Sequence, residues 1–205
     1  MSLKTKPSFL DFGCGKGNWL MKHDNPKVVG IDIDLETLKS ATRVVKQSNL
    51  VRCDGHFLPF KEKTFNYVHV HYTLHHMQDY CRAVCEINRV LNGTLELTEA
   101  VCDNPLSSFS GKIIGRWQDI PLGSTFKASN LKLEISRCFK IQKLELSDSL
   151  KILWVYEWFN LHYHIPHLIL KMNALYQRCL RKSGLMKYLA SVVKIDAKSR
   201  TIPTE

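Results

Sequence analysis

The chain has 205 residues, 44% of them hydrophobic and 23% charged, with a formal net charge of +10. That length buries one sizeable core and is too short for two full domains. It offers no run of about 18 apolar residues to span a membrane, and the opening MSLKTKPS leads straight into a core-type run without a secretory leader, so a cytoplasmic protein is expected.

The elements follow in chain order from apolar periodicity. The strand-length run SFLDF ends at residue 12 and is followed by a turn carrying Gly13, Gly15 and Gly17. KVVGID is the next strand, closed by Asp32, and Asp34 is placed to cap the helical pattern LETLKSATRVVKQ. NLVRCD, NYVHVHY and TLELTEAV are further strands, with the helical pattern YCRAVCEINRVL between the last two. CFKIQKLEL and LKILWVYEWF are separated only by Ser147, Asp148 and Ser149, which demands an antiparallel pair. Alternating strands and helices imply an α/β, Rossmann-like fold: a seven-stranded, mostly parallel sheet with an antiparallel strand near the C-terminal end and helices on both faces. Ligands bind such sheets at the carboxyl ends of the strands, where Asp11, Asp32 and Asp54 gather.

The expected domain covers residues 1–158. Within it, residues 103–130 break the sheet pattern with Gly, Pro and Ser around Trp117. Residues 159–205 read as a basic, amphipathic helical tail packed on the domain or on a partner, with a homodimer as one such partner. Leu168, Met172, Leu175 and Cys179 form its apolar stripe, with Ile169, Tyr176 and Leu180 beside them and Lys171, Arg178 and Lys182 on the other side. Ser183 and Gly184 stop this helix, and GLMKYLASVV begins another. Residues 171–205 hold eight of the 29 basic residues and two of the 19 acids. Cys14, Cys53, Cys81, Cys85, Cys102, Cys138 and Cys179 show no CxxC pair, as expected of reduced, buried thiols.

DFGCGKG, GIDID, CDGHFLPFKEKTFNYV, YTLHHMQD and EINRVLNGTLELTE stand in the order found in the class I S-adenosylmethionine-dependent methyltransferases, and residues 8–101 resemble that family. The nearest subgroup is the broad type-11 set, which includes quinone-biosynthesis and wobble-uridine tRNA methyltransferases. The resemblance implies S-adenosylmethionine as cofactor. It implies that Gly13, Cys14, Gly15 and Gly17 line the adenosine and methionine portions, and that Asp11 reaches the methionine ammonium. Asp32, with Ile33 beside it, would accept both ribose hydroxyls. Asp54 would take the adenine amino group, backbone amides near Gly55 and His56 would read the ring, and His71 and Tyr72 would flank the methionine moiety. A nicotinamide-binding fold competes less well: its G-x-G-x-x-G spacing is broken by an early third glycine, and Asp32 lies too close to the loop.

A sulfonium methyl needs in-line alignment more than side-chain chemistry. Should the acceptor lose a proton, His75 and His76 are the candidate bases; the alternative is that the pair only opens a helix. His69 and His71 share a strand face, and His162, His164 and His167 cluster later, but no carboxylate or cysteine completes a metal-ligand spacing, so no metal site is expected. The family's Pro-Pro motif for exocyclic base amines and its Pro-Cys nucleophile are absent, and its Pro-Gly-Gly turn shrinks to Asn92-Gly93. The expected reaction is methyl transfer to an oxygen or nitrogen of a small molecule. RNA or protein methylation through the basic tail and a noncatalytic cofactor-binding module are the alternatives.

Overall fold

The computed structural model describes residues 8–101, 127–147, 167–183 and 192–200. Its chain divides into two units, Met1–Glu99 with Ser129–Leu144 and Lys194–Glu205, and Ala100–Ala128 with Glu145–Val193. The segments 103–126 and 148–166 lie outside the described residues, and with them most of the expected insertion, the run at 150–159 and the expected boundary at 158.

The first unit is built on β1 (Phe9–Phe12), β2 (Val28–Asp32), β3 (Asn49–Arg52), β4 (Phe65–His71) and β5 (Leu91–Ala100). With β6 (Phe139–Ser147) and β7 (Val192–Ser199) they make one seven-stranded sheet in the order β3-β2-β1-β4-β5-β7-β6, with β7 antiparallel. This is the expected Rossmann-like architecture. The central strands read as nearly continuous apolar runs because both their faces are covered: Leu10, Phe12, Val28, Val29, Ile31, Val68 and Val70 are all buried. β1 pairs in parallel with β2 on one side and β4 on the other, which makes its carboxyl end the point where strand order reverses. The β1–β4 register sets Asp11 opposite His69.

Helices α1 (Asn18–Lys22), α2 (Leu35–Ala41), α3 (Tyr80–Val90) and α4 (Ala128–Cys138) belong to or adjoin this sheet. Asp34 caps α2 as expected, accepting from the amides of Glu36 and Thr37. The helix stops at Ala41 although its pattern runs on to Gln47. The Asp24 carboxylate captures the amides of Lys46, Gln47 and Ser48 at 2.7 to 3.2 Å, an alternative that the helix cannot match with β-branched Thr42, Val44 and Val45. Desolvation opposes ionisation of Asp24, but these amide bonds prevail and hold its pKa down to about 2. α3 buries Ala83, Val84, Ile87 and Val90 on one stripe. Its Glu86 and Arg89 hold the segment that follows β3: Leu58 donates to Glu86 at 2.8 Å, and Arg89 donates to the carbonyls of Leu58 and Phe60.

Two local expectations are corrected. Asn92-Gly93 lies inside β5 and makes no turn there: Phe65 faces Leu91 while Tyr67 faces Thr94, so β5 carries one extra residue in a bulge. A Cβ on Gly93 would lie 2.1 Å from the Asn66 carbonyl oxygen, which is why that position is bare. The region after Ser183 is the second. Residues 192–193, read as part of a helix, open β7, in which Val193, Ile195 and Ala197 are buried with strand period. The antiparallel strand of the described sheet therefore comes from within the segment read as helical tail. In the second unit, α5 (His167–Ser183) forms as the tail pattern predicts.

Candidate functional site

One cleft of about 750 Å³ opens at the carboxyl ends of β1, β2 and β4, a size suited to a nucleoside-like ligand. Its floor begins with Asp11. This residue is 3% exposed, and its Oδ1 lies 2.8 Å from Nδ1 of His69. Its Oδ2 is buried without a partner. His69 is in turn held between rings, stacked on Trp19 at 4.7 Å and on His71 at 5.8 Å. The pair His69 and His71 does share a face, as the strand period requires, but His69 is committed to a carboxylate; among the described residues no group of three His, Cys, Asp or Glu could hold a metal.

The turn after β1 has φ of +72° at Gly13, +53° at Gly15 and +85° at Gly17, a left-handed path closed to most side chains. Gly13 is also sterically fixed, since a Cβ there would sit 2.3 Å from Thr73 Cγ2. Gly15 differs: a Cβ would meet no protein atom within 4 Å, so the space over it belongs to the cleft. Gly17 does not line the cleft; it caps α1 and packs close to Ala41 and Val44. The Cys14 amide donates to the Ile31 carbonyl at 2.8 Å, tying the turn to β2. The Cys14 thiol packs with Leu20, Leu38 and Ala41, and burial, with Asp11 next in effect, pushes its pKa up so that it stays protonated.

Asp32 ends β2 at the cleft. Its Oδ2 accepts from the Gly15 amide at 2.9 Å and its Oδ1 from Asp34 at 3.0 Å, so the carboxylate both shapes the glycine turn and faces the cavity. Ile33 beside it is 62% exposed at the rim. Asp54 lies two residues beyond β3, and its Oδ1 takes both the amide and Nδ1 of His56 at 2.9 and 2.6 Å. The His56 amide bond lowers the Asp54 pKa below the usual range. That amide is therefore already used, and it does not stand open for a ring nitrogen as the sequence suggested. Gly55 lets this loop lie on Phe12, whose ring would be 2.4 Å from a Cβ.

The far wall follows β4. Tyr72 takes a left-handed φ of +50°, and its ring meets that of His71 edge-on at 4.4 Å. The sequence treats His75 and His76 as equivalents, and the structure separates them. His76 lines the cleft, as do Met77 and Gln78, whereas His75 does not and gives its Nδ1 to Glu99 at 2.8 Å. Glu99 is fully buried and also accepts from the amides of Thr73 and Leu74 at 2.7 and 2.6 Å, fixing the short turn that carries both histidines. Sequence reading missed Glu99, although it falls in period with the buried Leu95 and Leu97 of β5. It also missed Trp19, Thr73 and the Asp11–His69 pair, which appear only when β1 and β4 are set in register.

Desolvation, with His69 as the next cause, lowers the His71 pKa below the ordinary 6.5; desolvation and then His75 lower that of His76. As pH falls through 6.5, histidines in the unfolded chain take up protons before these two do in the folded chain. Their contribution to stability is thus present above that pH and lost below it. The urea midpoint is expected to fall between about pH 7.5 and about pH 5.5, with a shallower fall in the His71→Gln/His76→Gln double variant. An identical pH dependence in the two proteins would refute the linkage.

Residues 10–94 match the type-11 methyltransferase domain family, and the glycine turn, the acids at the first two strand ends and the residues lining the switch-point cleft all fall within that stretch. Over 99 residues the chain is 36% identical to demethylmenaquinone methyltransferase of Staphylococcus aureus, covering 44% of this chain and 41% of that protein. The chain thus matches about two fifths of the length of these curated relatives. Among solved structures, a putative methyltransferase from Bacillus halodurans superposes with a TM-score of 0.66 at 18% identity, covering 98% of this chain and 95% of that one. A Thermotoga maritima S-adenosylmethionine-dependent methyltransferase, described as a possible histamine N-methyltransferase, gives 0.63 at 14% identity, with 97% and 84% covered. These likenesses show the fold.

Proposed function

We propose that the protein is an S-adenosylmethionine-dependent methyltransferase that methylates an oxygen or nitrogen of a small molecule. The observation that carries this reading is the meeting, in one cleft, of a bare Gly15, the Asp32 carboxylate and the unpartnered Oδ2 of Asp11. A buried carboxylate oxygen without a partner is costly unless a donor or cation arrives, and the ammonium of a methionine moiety is such a group. His69 holds Oδ1 and so fixes Oδ2 for that contact. Each Asp32 oxygen accepts one amide and keeps further lone-pair capacity, which suits the two hydroxyls of a ribose. Both bonds from His56 fall on Oδ1 of Asp54, which leaves Oδ2 for the adenine amino group, with Ile33 and Gly55 bordering the ring.

Bound there, the cofactor supplies an activated methyl group on a sulfonium. The chain's own task is to orient the partners and shield them from water. His71 and Tyr72 wall the methionine end, and His76 stands on the same wall as a neutral imidazole able to accept an acceptor proton. The small-molecule acceptor is supported by the similarity to demethylmenaquinone methyltransferase.

Isothermal calorimetry tests the cofactor reading. S-adenosylhomocysteine is expected to bind one site per chain, and NAD to give no heat under the same conditions. Tight binding of NAD with none of S-adenosylhomocysteine would overturn it.

A further inference from the structure

Helix α5 presents a face that neither the cofactor cleft nor the proposed chemistry uses. The apolar stripe read from the sequence was expected to be the packed side. On the chain by itself Met172, Leu175 and Cys179 are exposed, with Met172 at 54% and Leu175 at 62%, and among the described side chains of α5 Leu180 is buried. At 100° per residue, Leu175, Cys179 and Met172 fall within a narrow arc, and Lys182, Lys171 and Arg178 form the strip directly beside it. Arg181 continues the basic side. All four basic residues are exposed, and residues 167–183 contain no acid.

We propose that α5 docks on the surface of a membrane that contains anionic lipids, lying in the interface plane with Leu175, Cys179 and Met172 inserted and Lys171, Arg178 and Lys182 at the headgroups. Charge complementarity selects this occupant. A helix with four cations and no anion repels a second copy of itself, which disfavours a dimer through this face. RNA would engage the basic strip but would leave the two large aliphatic side chains beside it in water. An anionic lipid surface satisfies both strips at once: apolar side chains reach the acyl boundary, and long basic stems snorkel to the phosphates. The helix lies on the membrane and does not cross it, consistent with no described helix being long and apolar enough to span.

The test is co-sedimentation of the full chain with large vesicles of phosphatidylcholine alone or mixed with phosphatidylglycerol. The protein is expected to pellet with the mixed vesicles, to partition at least about tenfold less onto phosphatidylcholine, and to be released as salt rises from about 50 mM to about 500 mM. Met172→Asp/Leu175→Asp and, separately, Lys171→Glu/Lys182→Glu should each lower partitioning by roughly tenfold or more. Both pairs are exposed, so circular dichroism and S-adenosylhomocysteine affinity should stay unchanged in the variants. Equal partitioning onto the two vesicle types would overturn the proposal. So would vesicle binding that survives the aspartates, tight saturable RNA binding without vesicle binding, or a concentration-dependent dimer abolished by Leu175→Asp.

Discussion

Asp32→Ala is expected to weaken S-adenosylhomocysteine binding by at least about tenfold, because a charged hydrogen-bond acceptor contributes about 1.5 kcal/mol or more to each partner it serves. Two losses combine in this variant. On the proposed reading the ribose hydroxyls would lose their carboxylate, and the Gly15 amide would lose the acceptor at 2.9 Å that fixes the turn. The second loss also bears on the free protein, so the melting temperature without ligand measures it separately. Asp32→Asn keeps one carbonyl oxygen and should fall between wild type and alanine. Calorimetry on the three proteins decides the matter: affinities within twofold of one another would mean that Asp32 only shapes the loop. Because the readout is binding alone, the result stands whatever the methyl acceptor proves to be.

The parts of this site legible in the sequence are those that one segment specifies by itself. A strand ending in an acid and followed by three glycines determines its own turn, and Asp34 caps the helix that starts next to it. The parts that escaped depend on partners distant in the chain. Asp11 and His69 are 58 positions apart and meet only through the β1–β4 register. Glu99 controls the turn at residues 73–76 from the end of β5, and its burial becomes intelligible once three backbone or ring donors converge on it. The C-terminal strand was hidden for a different reason. VVKIDAKS has a strand period, but the preceding GLMKYLASVV has helix-forming composition and drew residues 192 and 193 with it. The apolar stripe of α5 was legible as a period, but its cations adjoin the stripe and do not oppose it, and amphipathicity fixes the faces of a helix and not which of them is covered.

His76→Asn is expected to lower turnover by roughly 100-fold if the acceptor must give up a proton, the usual contribution of a placed general base. The assay follows release of S-adenosylhomocysteine with an acceptor that supports turnover, and cofactor affinity should stay nearly unchanged. Two features single out His76 over its neighbour. It lines the cleft, and its lowered pKa keeps the ring neutral and able to accept a proton near pH 7. His75 is occupied by Glu99, so His75→Asn removes one bond to a buried carboxylate that retains two amide donors. The expected result there is a loss of stability with a much smaller change in turnover. The pH profile adds a readout that a structural role would not give: the acid limb of turnover, set below pH 6.5 by the shifted His76, should disappear in the asparagine variant. Full turnover in His76→Asn, or a larger loss in His75→Asn than in His76→Asn, would reject His76 as the base and leave the pair as the scaffold of the turn.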